Sequence, residues 1–311
     1  MAINKWMRAA LKALTYSEPD LKKNYKLYRA VNNTIVTPVK RIYEVSDYKI
    51  SLDEADIPVR IFEPKEKRSE EVFLFFHGGG WVTGNIDSYT KPCASLANNT
   101  GRRVLSVDYR LAPEYPFPCG LNDCYQAALT IYQNSGEFQL HPEQIVLMGD
   151  SAGGNLAACV SLMARDRGDF QVKRQILLYP AAGNDHSDDS QFASVREFGK
   201  DYLLTSKRIR DYIDLYISNK EDLENPYFAP LLAEDLSRQP ETLIVTAEYD
   251  PLRDEGEAYG KKLALQGNPV MLHRMKDALH GFFTLPQRFV HVQKTYRLVD
   301  DFLRGGACYA E

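Results

Sequence analysis

The stretch that decides the fold is Ile145-Val146-Leu147-Met148-Gly149-Asp150-Ser151-Ala152-Gly153-Gly154. Its first four residues form an apolar run, which is typical of a strand buried on both faces of a parallel sheet. The serine lies between glycines in the pattern G-x-S-x-G, and mostly small residues follow it. In such a turn the strained backbone pushes the hydroxyl outward where strand meets helix. A helix N-cap would also use a serine, but it would not need glycines on both sides. The stretch therefore predicts a strand, a tight turn and a helix, with the Ser151 hydroxyl exposed.

A second glycine-rich stretch, His77-Gly78-Gly79-Gly80-Trp81, follows the apolar run Val72–Phe76. A tight turn would also use glycines, but three in a row let the backbone approach a ligand with its N–H groups bare. Such groups stabilise the negative oxygen that develops during acyl transfer. The sequence leaves open which two glycines donate. The candidate donors are the amides of Gly78, Gly79, Gly80 and Ala152. The two stretches together predict a serine hydrolase.

Eight strand-like segments alternate with helix-length patterns. The strands are expected at Tyr48–Leu52, Pro58–Phe62, Val72–Phe76, Val104–Val107, Ile145–Met148, Gln175–Tyr179, Thr242–Thr246 and Val270–Arg274. The helices are expected at about Ser88–Asn99, Leu121–Asn134, Gly154–Arg167, Pro251–Leu265 and Val290–Leu303. The first two strands look like an antiparallel pair, and the later ones are short apolar runs. Strands that alternate with helices predict a doubly wound α/β sheet with helices on both faces.

Two segments depart from this alternation: residues 1 to about 45, and 181 to about 240. An excursion too long for a crossover is typical of a lid or cap over a site, and an extra packing layer is the alternative. The first segment has a helical pattern at Trp6–Leu14 whose mostly alanine face favours packing on the core or cap over lying on a membrane surface. The second contains an amphipathic helix whose apolar residues share one face: Ile209, Tyr212, Ile213, Tyr216 and Ile217. We expect one domain, 1–311, with cap elements at about 1–45 and 181–240.

Composition and charge exclude several classes of protein. The chain has 311 residues, 44% hydrophobic and 26% charged, as in ordinary globular domains. Its net charge of −4 provides no basic surface for nucleic acid. No apolar run reaches the ~20 residues of a membrane helix, and the N-terminus lacks the apolar core of a signal peptide. The cysteines lack disulfide or metal spacing, so we expect reduced thiols, a cytoplasmic location and no metal. They are Cys93, Cys119, Cys124, Cys159 and Cys308.

The general base of a serine hydrolase on such a sheet follows the nucleophile in the chain, with the acid between them. Of the six histidines, His280 is the best candidate because it lies in a loop just past the last strand. His77 precedes Ser151 and is expected to organise the glycine loop by hydrogen bonds instead. Asp250 is the leading acid, since it follows the penultimate strand and precedes the next helix. Its rivals are Asp254, Glu248 and Asp277.

These motifs together resemble the hormone-sensitive-lipase-like α/β-hydrolases, the bacterial esterases with an HGGGW motif. The matching stretches are HGGGWVTG (77–84), DYRLAPE (108–114), GDSAGGNLA (149–157), AEYDPLRDEG (247–256) and HGF (280–282). The resemblance runs over nearly the whole chain. It implies the α/β-hydrolase fold, an eight-stranded mostly parallel sheet with helices on both faces and a helical cap. It also implies Ser151, Asp250 and His280 as the catalytic triad, and a homodimer.

The implied reaction is hydrolysis of a carboxylic ester through an acyl-enzyme, without a metal or organic cofactor. Family members of this form mostly take short acyl esters. We therefore expect a small-molecule ester with an acetyl to roughly hexanoyl chain as the partner, and no nucleic acid or membrane. Two alternatives stay open: an amidase or formamidase on the same scaffold, and a small-molecule receptor without turnover. Receptors related to this family have lost the histidine, whereas His280 is present here.

Overall fold

The computed structural model describes residues 20–33, 43–52 and 56–305. The strands are β1 (Val45–Ser51), β2 (Asp56–Phe62), β3 (Val72–Phe76), β4 (Arg103–Val107), β5 (Ile145–Asp150), β6 (Arg174–Leu178), β7 (Glu241–Tyr249) and β8 (Val270–Leu279). The α-helices are α1 (Leu21–Asn33), α2 (Thr90–Thr100), α3 (Cys119–Gln133), α4 (Ala152–Arg167), α5 (Ala193–Phe198), α6 (Ser206–Tyr216), α7 (Arg253–Leu265) and α8 (Val290–Leu303). The helix expected at Trp6–Leu14 and the thiol of Cys308 lie outside the described residues.

The described strands form one sheet in the order β1-β2-β4-β3-β5-β6-β7-β8. β1 pairs antiparallel with β2, and β2 antiparallel with β4, while the pairs from β4 to β8 are parallel. The predicted eight-stranded, mostly parallel sheet is confirmed. Because parallel strands end at the same edge, the loops after β3, β5, β7 and β8 meet there.

Several strands run further than the apolar pattern predicted, and the extensions of β7 and β8 bear most on the site. β7 continues past Thr246 to Tyr249, and β8 continues past Arg274 to Leu279. The added residues include charged side chains, so they carry no apolar run. The pairing shifts register between Ala247 and Tyr249, and this irregularity lets both strands extend together. The extension brings the ends of both strands up to Asp250 and His280.

The core has two layers because successive side chains of a strand point to opposite faces of the sheet. Leu74 and Phe76 of β3 pack in one layer with side chains of α3 and α4. Phe73 and Phe75 of the same strand pack in the other layer with α2 and α8. The small residues at the start of α4 let that helix lie close against the sheet, and its first 13 residues are all buried. This packing holds the turn before α4 rigidly at the sheet edge.

The two segments that break the alternation lie against each other. Lys22 of α1 forms ion pairs with Asp214 and Asp211 of α6. Arg29 of α1 donates to the carbonyl of Val82 at 2.6 Å, which ties α1 to the loop after β3. The described parts of the expected cap elements therefore meet beside the loop that carries the three glycines.

In the part of the chain that is described, no helix has both the length and the apolarity needed to cross a bilayer.

Candidate active site

Ser151 occupies a strained turn between β5 and α4. Its φ of 56° and ψ of −121° lie outside the regions that side-chain-bearing residues favour. A Cβ on Gly149 would lie 2.1 Å from the carbonyl oxygen of Gly153, and a Cβ on Gly153 would lie 2.0 Å from that of Phe76. Only glycine fits at both positions, which explains the spacing of the motif. Ser151 occupies the N-cap position of α4, but its side chain makes no capping hydrogen bond, so capping does not explain the serine.

His280 joins Ser151 to Asp250 in one hydrogen-bonded chain. The distance from His280 Nε2 to Ser151 Oγ is 2.9 Å, and from His280 Nδ1 to Asp250 Oδ2 it is 2.7 Å. Asp250 is fully buried, and its Oδ1 accepts a hydrogen bond from the Leu252 amide at 2.9 Å. With Nδ1 donating to the carboxylate, Nε2 is left to accept the serine proton.

Two of the rival acids, Asp254 and Glu248, form hydrogen bonds with groups other than His280. Asp254 accepts from the Ser194 amide at 2.8 Å and pairs with Arg253. Glu248 accepts from the Asp277 amide at 2.6 Å. The structure thus brings the leading candidate, Asp250, to His280 and gives the carboxylates of Asp254 and Glu248 other partners.

The three glycines of the loop differ in what their amides do. The Gly78 N–H donates to Asp150 Oδ1 at 2.8 Å and also to the Tyr89 hydroxyl at 3.1 Å. The Gly78 amide is therefore occupied within the protein, which sets it apart from the other candidate oxyanion donors. The amides of Gly79 and Gly80 have no acceptor among the described residues, and both glycines line the pocket beside Ser151. Both residues have positive φ angles, 121° and 62°, a conformation that favours glycine.

Ala152 completes the set of oxyanion donors predicted from the sequence. It is the first residue of α4, so its N–H has no acceptor within the helix. The same helix directs its positive end toward Ser151. The structure thus places three bare amides, those of Gly79, Gly80 and Ala152, on the wall of the pocket that contains the serine.

His77 is a buried part of the loop scaffold. Its ring stacks on Tyr109 with centroids 4.3 Å apart, and its Nδ1 donates to the Gly78 carbonyl at 2.8 Å. The Tyr109 hydroxyl donates to the His77 carbonyl at 2.7 Å. Burial lowers the pKa of His77 to about 4, so the ring is neutral at physiological pH. His77 organises the loop, as expected, and does not reach the serine.

Asp150 is a polar residue of the site that the sequence analysis did not single out. Its side chain is buried, and burial raises the pKa of its carboxyl to about 6, while donors on Tyr89, Gly78 and Tyr179 oppose that rise. The available signal was a charged residue at the end of an otherwise apolar strand, directly before the serine. Such a residue needs buried donors to be tolerated.

A cavity of about 370 Å³ opens at Ser151 and His280. Its side-chain walls come largely from α1, α6 and the residues around them: Tyr28, Trp81, Leu203, Leu204, Arg208, Ile209, Tyr212 and Leu252. The wall is mainly aromatic and aliphatic, as in most small-molecule sites. Within the described residues, no three His, Cys, Asp or Glu side chains are grouped as ligands for a metal ion. The arrangement is a hydrogen-bonded serine, histidine and aspartate beside amides without an acceptor among the described residues, in a pocket with both polar and apolar lining.

Comparison with known proteins identifies the family to which this chain belongs. A family model described as the alpha/beta hydrolase fold matches residues 73–284. The chain belongs to the α/β-hydrolase family. The arylesterase of Saccharolobus solfataricus is 38% identical to this α/β-hydrolase over 265 residues, which cover 84% of this chain and 85% of the relative. Carboxylesterase NlhH of Mycobacterium tuberculosis is 35% identical over 231 residues, covering 73% of this chain and 71% of the relative.

Solved structures of esterases have the same overall fold as this chain. A hyperthermophilic esterase from the archaeon Pyrobaculum calidifontis matches this α/β-hydrolase with a TM-score of 0.87 and 32% sequence identity, over 98% of this chain and 99% of that one. The predicted resemblance to the hormone-sensitive-lipase-like esterases and the predicted α/β-hydrolase fold are both confirmed.

Proposed function

We propose that this α/β-hydrolase is a serine carboxylesterase that hydrolyses short-chain acyl esters, from acetyl to roughly hexanoyl. One observation carries the proposal: the hydrogen-bonded chain from Ser151 through His280 to Asp250, with distances of 2.9 and 2.7 Å, at the base of a pocket with bare amides. A nucleophile, an oriented base and oxyanion donors are the parts that acyl transfer requires. Relatives named arylesterase and carboxylesterase support esters as the substrate class.

The proposed reaction has two halves. His280 Nε2 accepts the Ser151 proton as Oγ attacks the ester carbonyl carbon, and the amides of Gly79, Gly80 and Ala152 surround the resulting oxyanion. His280 then gives the proton to the leaving alcohol, and the acyl group stays on Ser151. Water attacks the acyl-enzyme by the same route and releases the acid. Asp250 holds the imidazole in the tautomer that accepts at Nε2, and its charge stabilises the imidazolium.

The size of the pocket supports short acyl chains. Its volume of about 370 Å³ is near the lower end of the range for small-molecule sites, ~300–1,000 Å³. Tyr212 of α6 packs directly on the glycine loop, since a Cβ on Gly80 would lie 2.4 Å from its ring. Each methylene that enters such a pocket contributes ~0.8 kcal/mol, but only until the space is full. Turnover should therefore rise with chain length and then fall within the short-chain range.

A p-nitrophenyl ester series from acetate to laurate, with matched amides, tests this proposal on purified protein. We expect the highest kcat/KM between acetate and hexanoate, and little turnover of the amides. Ser151→Ala should lower kcat on the order of 10⁶-fold. The matched control is Ser161→Ala, because Ser161 is a buried serine of the same helix whose hydroxyl donates to Gln175 at 2.8 Å, remote from the pocket.

Three outcomes would count against the proposal. A maximum at laurate would refute the chain-length range. Faster turnover of amides than of esters would favour the amidase alternative. A phosphonate probe that labels a residue other than Ser151, or normal activity in Ser151→Ala, would overturn the assigned nucleophile. The intact serine, histidine and aspartate chain supports turnover over a receptor role.

Three further parts of the proposal concern the setting of the enzyme. We propose that residues 1–45 and 181–240 act as a cap that limits substrate size, which the ion pairs of α1 with α6 support. We also propose a reducing, cytoplasmic setting, because Cys93, Cys124 and Cys159 are buried thiols outside disulfides. A homodimer is proposed from the family resemblance, and light scattering of the purified chain tests it.

A further inference from the structure

The buried Asp150 carboxylate borders the cavity of the site and holds the glycine loop. Its Oδ1 accepts from the Gly78 amide at 2.8 Å, and its Oδ2 accepts from the Tyr89 hydroxyl at 3.0 Å. The Tyr89 hydroxyl also accepts a hydrogen bond from the same Gly78 amide, at 3.1 Å. These bonds fix the orientation of the His77–Gly78 peptide, which is the peptide unit before the one that carries the Gly79 amide. The bare amides of Gly79 and Gly80 therefore point into the pocket from a loop that is anchored to one carboxylate.

The same carboxylate is connected to the segment His280–Thr284, the histidine loop. Tyr179 donates to Asp150 Oδ2 at 3.3 Å, and its hydroxyl accepts from the Phe283 amide at 3.3 Å. The edge of the Tyr179 ring meets His280, with centroids 4.9 Å apart, and Phe282, with centroids 5.0 Å apart. Tyr179 is buried and has a φ of 36°, an unfavourable conformation that its surroundings must maintain. The base thus rests on a tyrosine that Asp150 holds.

The chemistry of this position requires a carboxylate. Three donors point at it, namely the Gly78 amide and the hydroxyls of Tyr89 and Tyr179. An ionised carboxylate only accepts hydrogen bonds, so it satisfies all three. An asparagine of the same shape would direct an N–H₂ group at one of the donors and leave a buried donor without a partner. Neither structural packing alone nor the proposed triad explains a charge at this position.

We infer that Asp150 is a positioning residue that fixes the oxyanion amides and the histidine loop to one side chain. It borders the cavity, but its hydrogen bonds go to Gly78, Tyr89 and Tyr179 and to neither Ser151 nor His280. It acts through Gly78 on one side and through Tyr179 on the other. The inference rests on the proposed esterase function, because it concerns how the parts of that site are held in register. Misplacement of a catalytic group by about 1 Å can cost ~10²-fold in rate, so the effect should be large.

Kinetics of three variants test this inference. Asp150→Asn should lower kcat for p-nitrophenyl butyrate by roughly 10- to 100-fold and leave KM nearly unchanged, because asparagine keeps the shape of the side chain that borders the cavity. Tyr89→Phe and Tyr179→Phe should each lower kcat by a smaller factor. The loss in the double variant Asp150→Asn/Tyr179→Phe should be smaller than the product of the single losses, because both act through the same bond.

Tyr132→Phe is the matched control, since this buried hydroxyl contacts the Ile145 carbonyl at the opposite end of β5. Its kcat should equal that of the wild type. The inference is overturned if Asp150→Asn keeps the wild-type kcat, or raises KM at constant kcat. If Asp150→Asn does not fold, the variants Tyr89→Phe and Tyr179→Phe decide. The inference is also overturned if both of these variants keep the wild-type kcat and the wild-type melting temperature.

Labelling of Ser151 by a p-nitrophenyl phosphonate separates this inference from the proposed function. The labelling rate, followed by mass spectrometry, depends on serine activation and the oxyanion amides but requires no ester turnover. A wild-type chain that is labelled but hydrolyses no ester would argue against the proposed function. Equal labelling rates in the wild type and Asp150→Asn would argue against the role of Asp150, whatever the substrate.

Discussion

Asp250→Asn replaces one carboxylate oxygen with an amide group and leaves the shape of the side chain unchanged. The structure determines which way the new amide points. The Leu252 N–H donates to Oδ1 at 2.9 Å, so the asparagine oxygen must occupy that position. Its N–H₂ group then faces His280 Nδ1, 2.7 Å away from the present Oδ2. The imidazole is forced to accept at Nδ1 and to carry its proton on Nε2, where it can no longer take the proton of Ser151.

Two costs set the size of the effect. If the new side-chain amide at position 250 rotates so that its oxygen faces His280, the productive tautomer is restored. Its N–H₂ group then faces the Leu252 N–H in a buried site, which costs ~1–3 kcal/mol. The imidazolium also loses its charged partner, a hydrogen bond worth ~1.5–3 kcal/mol. Together these amount to roughly 2.5–6 kcal/mol, or about 10²- to 10⁴-fold in kcat. The same substitution costs about 10⁴-fold in a well-studied serine protease triad, at the upper end of this range.

The assay is kcat and KM for p-nitrophenyl butyrate, with the melting temperature measured in parallel. Asp254→Asn is the matched control, because Asp254 lies nearby in the first turn of α7 and bonds Ser194 and Arg253 instead of His280. We expect a near-normal kcat in the control and an unchanged KM in Asp250→Asn. The reasoning fails if Asp250→Asn keeps more than about a tenth of the wild-type kcat, a loss of under ~1.4 kcal/mol. It also fails if the folded control loses activity to the same extent.

Three other changes have defined outcomes. The folded pKa of His77, about 4, lies below its ordinary value of 6.5, so its contribution to stability is present above pH 6.5 and lost as the pH falls through 4. Between about pH 7 and 4.5, the free energy of unfolding measured in urea should fall by roughly 2 kcal/mol more in the wild type than in His77→Gln. An equal dependence of this free energy on pH in the two proteins would contradict the prediction. Gly153→Ala places a Cβ 2.0 Å from the Phe76 carbonyl, so it should lower the melting temperature and abolish turnover. Gly136→Ala meets nothing within 4 Å and should change neither property; similar behaviour of the two variants would refute the steric account. Tyr212→Ala removes a ring that packs on Gly80, so the optimum of the acyl series should move to longer chains; an unchanged optimum would show that other walls set the limit.

Much of the site could be predicted because its chemistry is encoded locally. The glycines at 149 and 153 are required by contacts within the turn itself and with the adjacent β3, so their spacing around Ser151 is a local signal that can be recognised in the sequence. The order of the apolar runs then predicts that Asp250 and His280 follow later strands, and parallel pairing brings strand ends to one edge. The extensions of β7 and β8 could not be predicted, because their polar residues have no apolar pattern.

The sequence by itself determined the strands, the serine turn and the order of the loops, since each depends on local spacing or on the hydrophobic pattern. Only the tertiary structure decided which amides are free. Gly78 looks like its neighbours in the sequence, but a carboxylate 72 residues later in the chain occupies its N–H. Asp150 likewise acquires its position from tyrosines on separate segments. Such assignments depend on contacts between residues distant in the chain, and those contacts exist only once the sheet has formed.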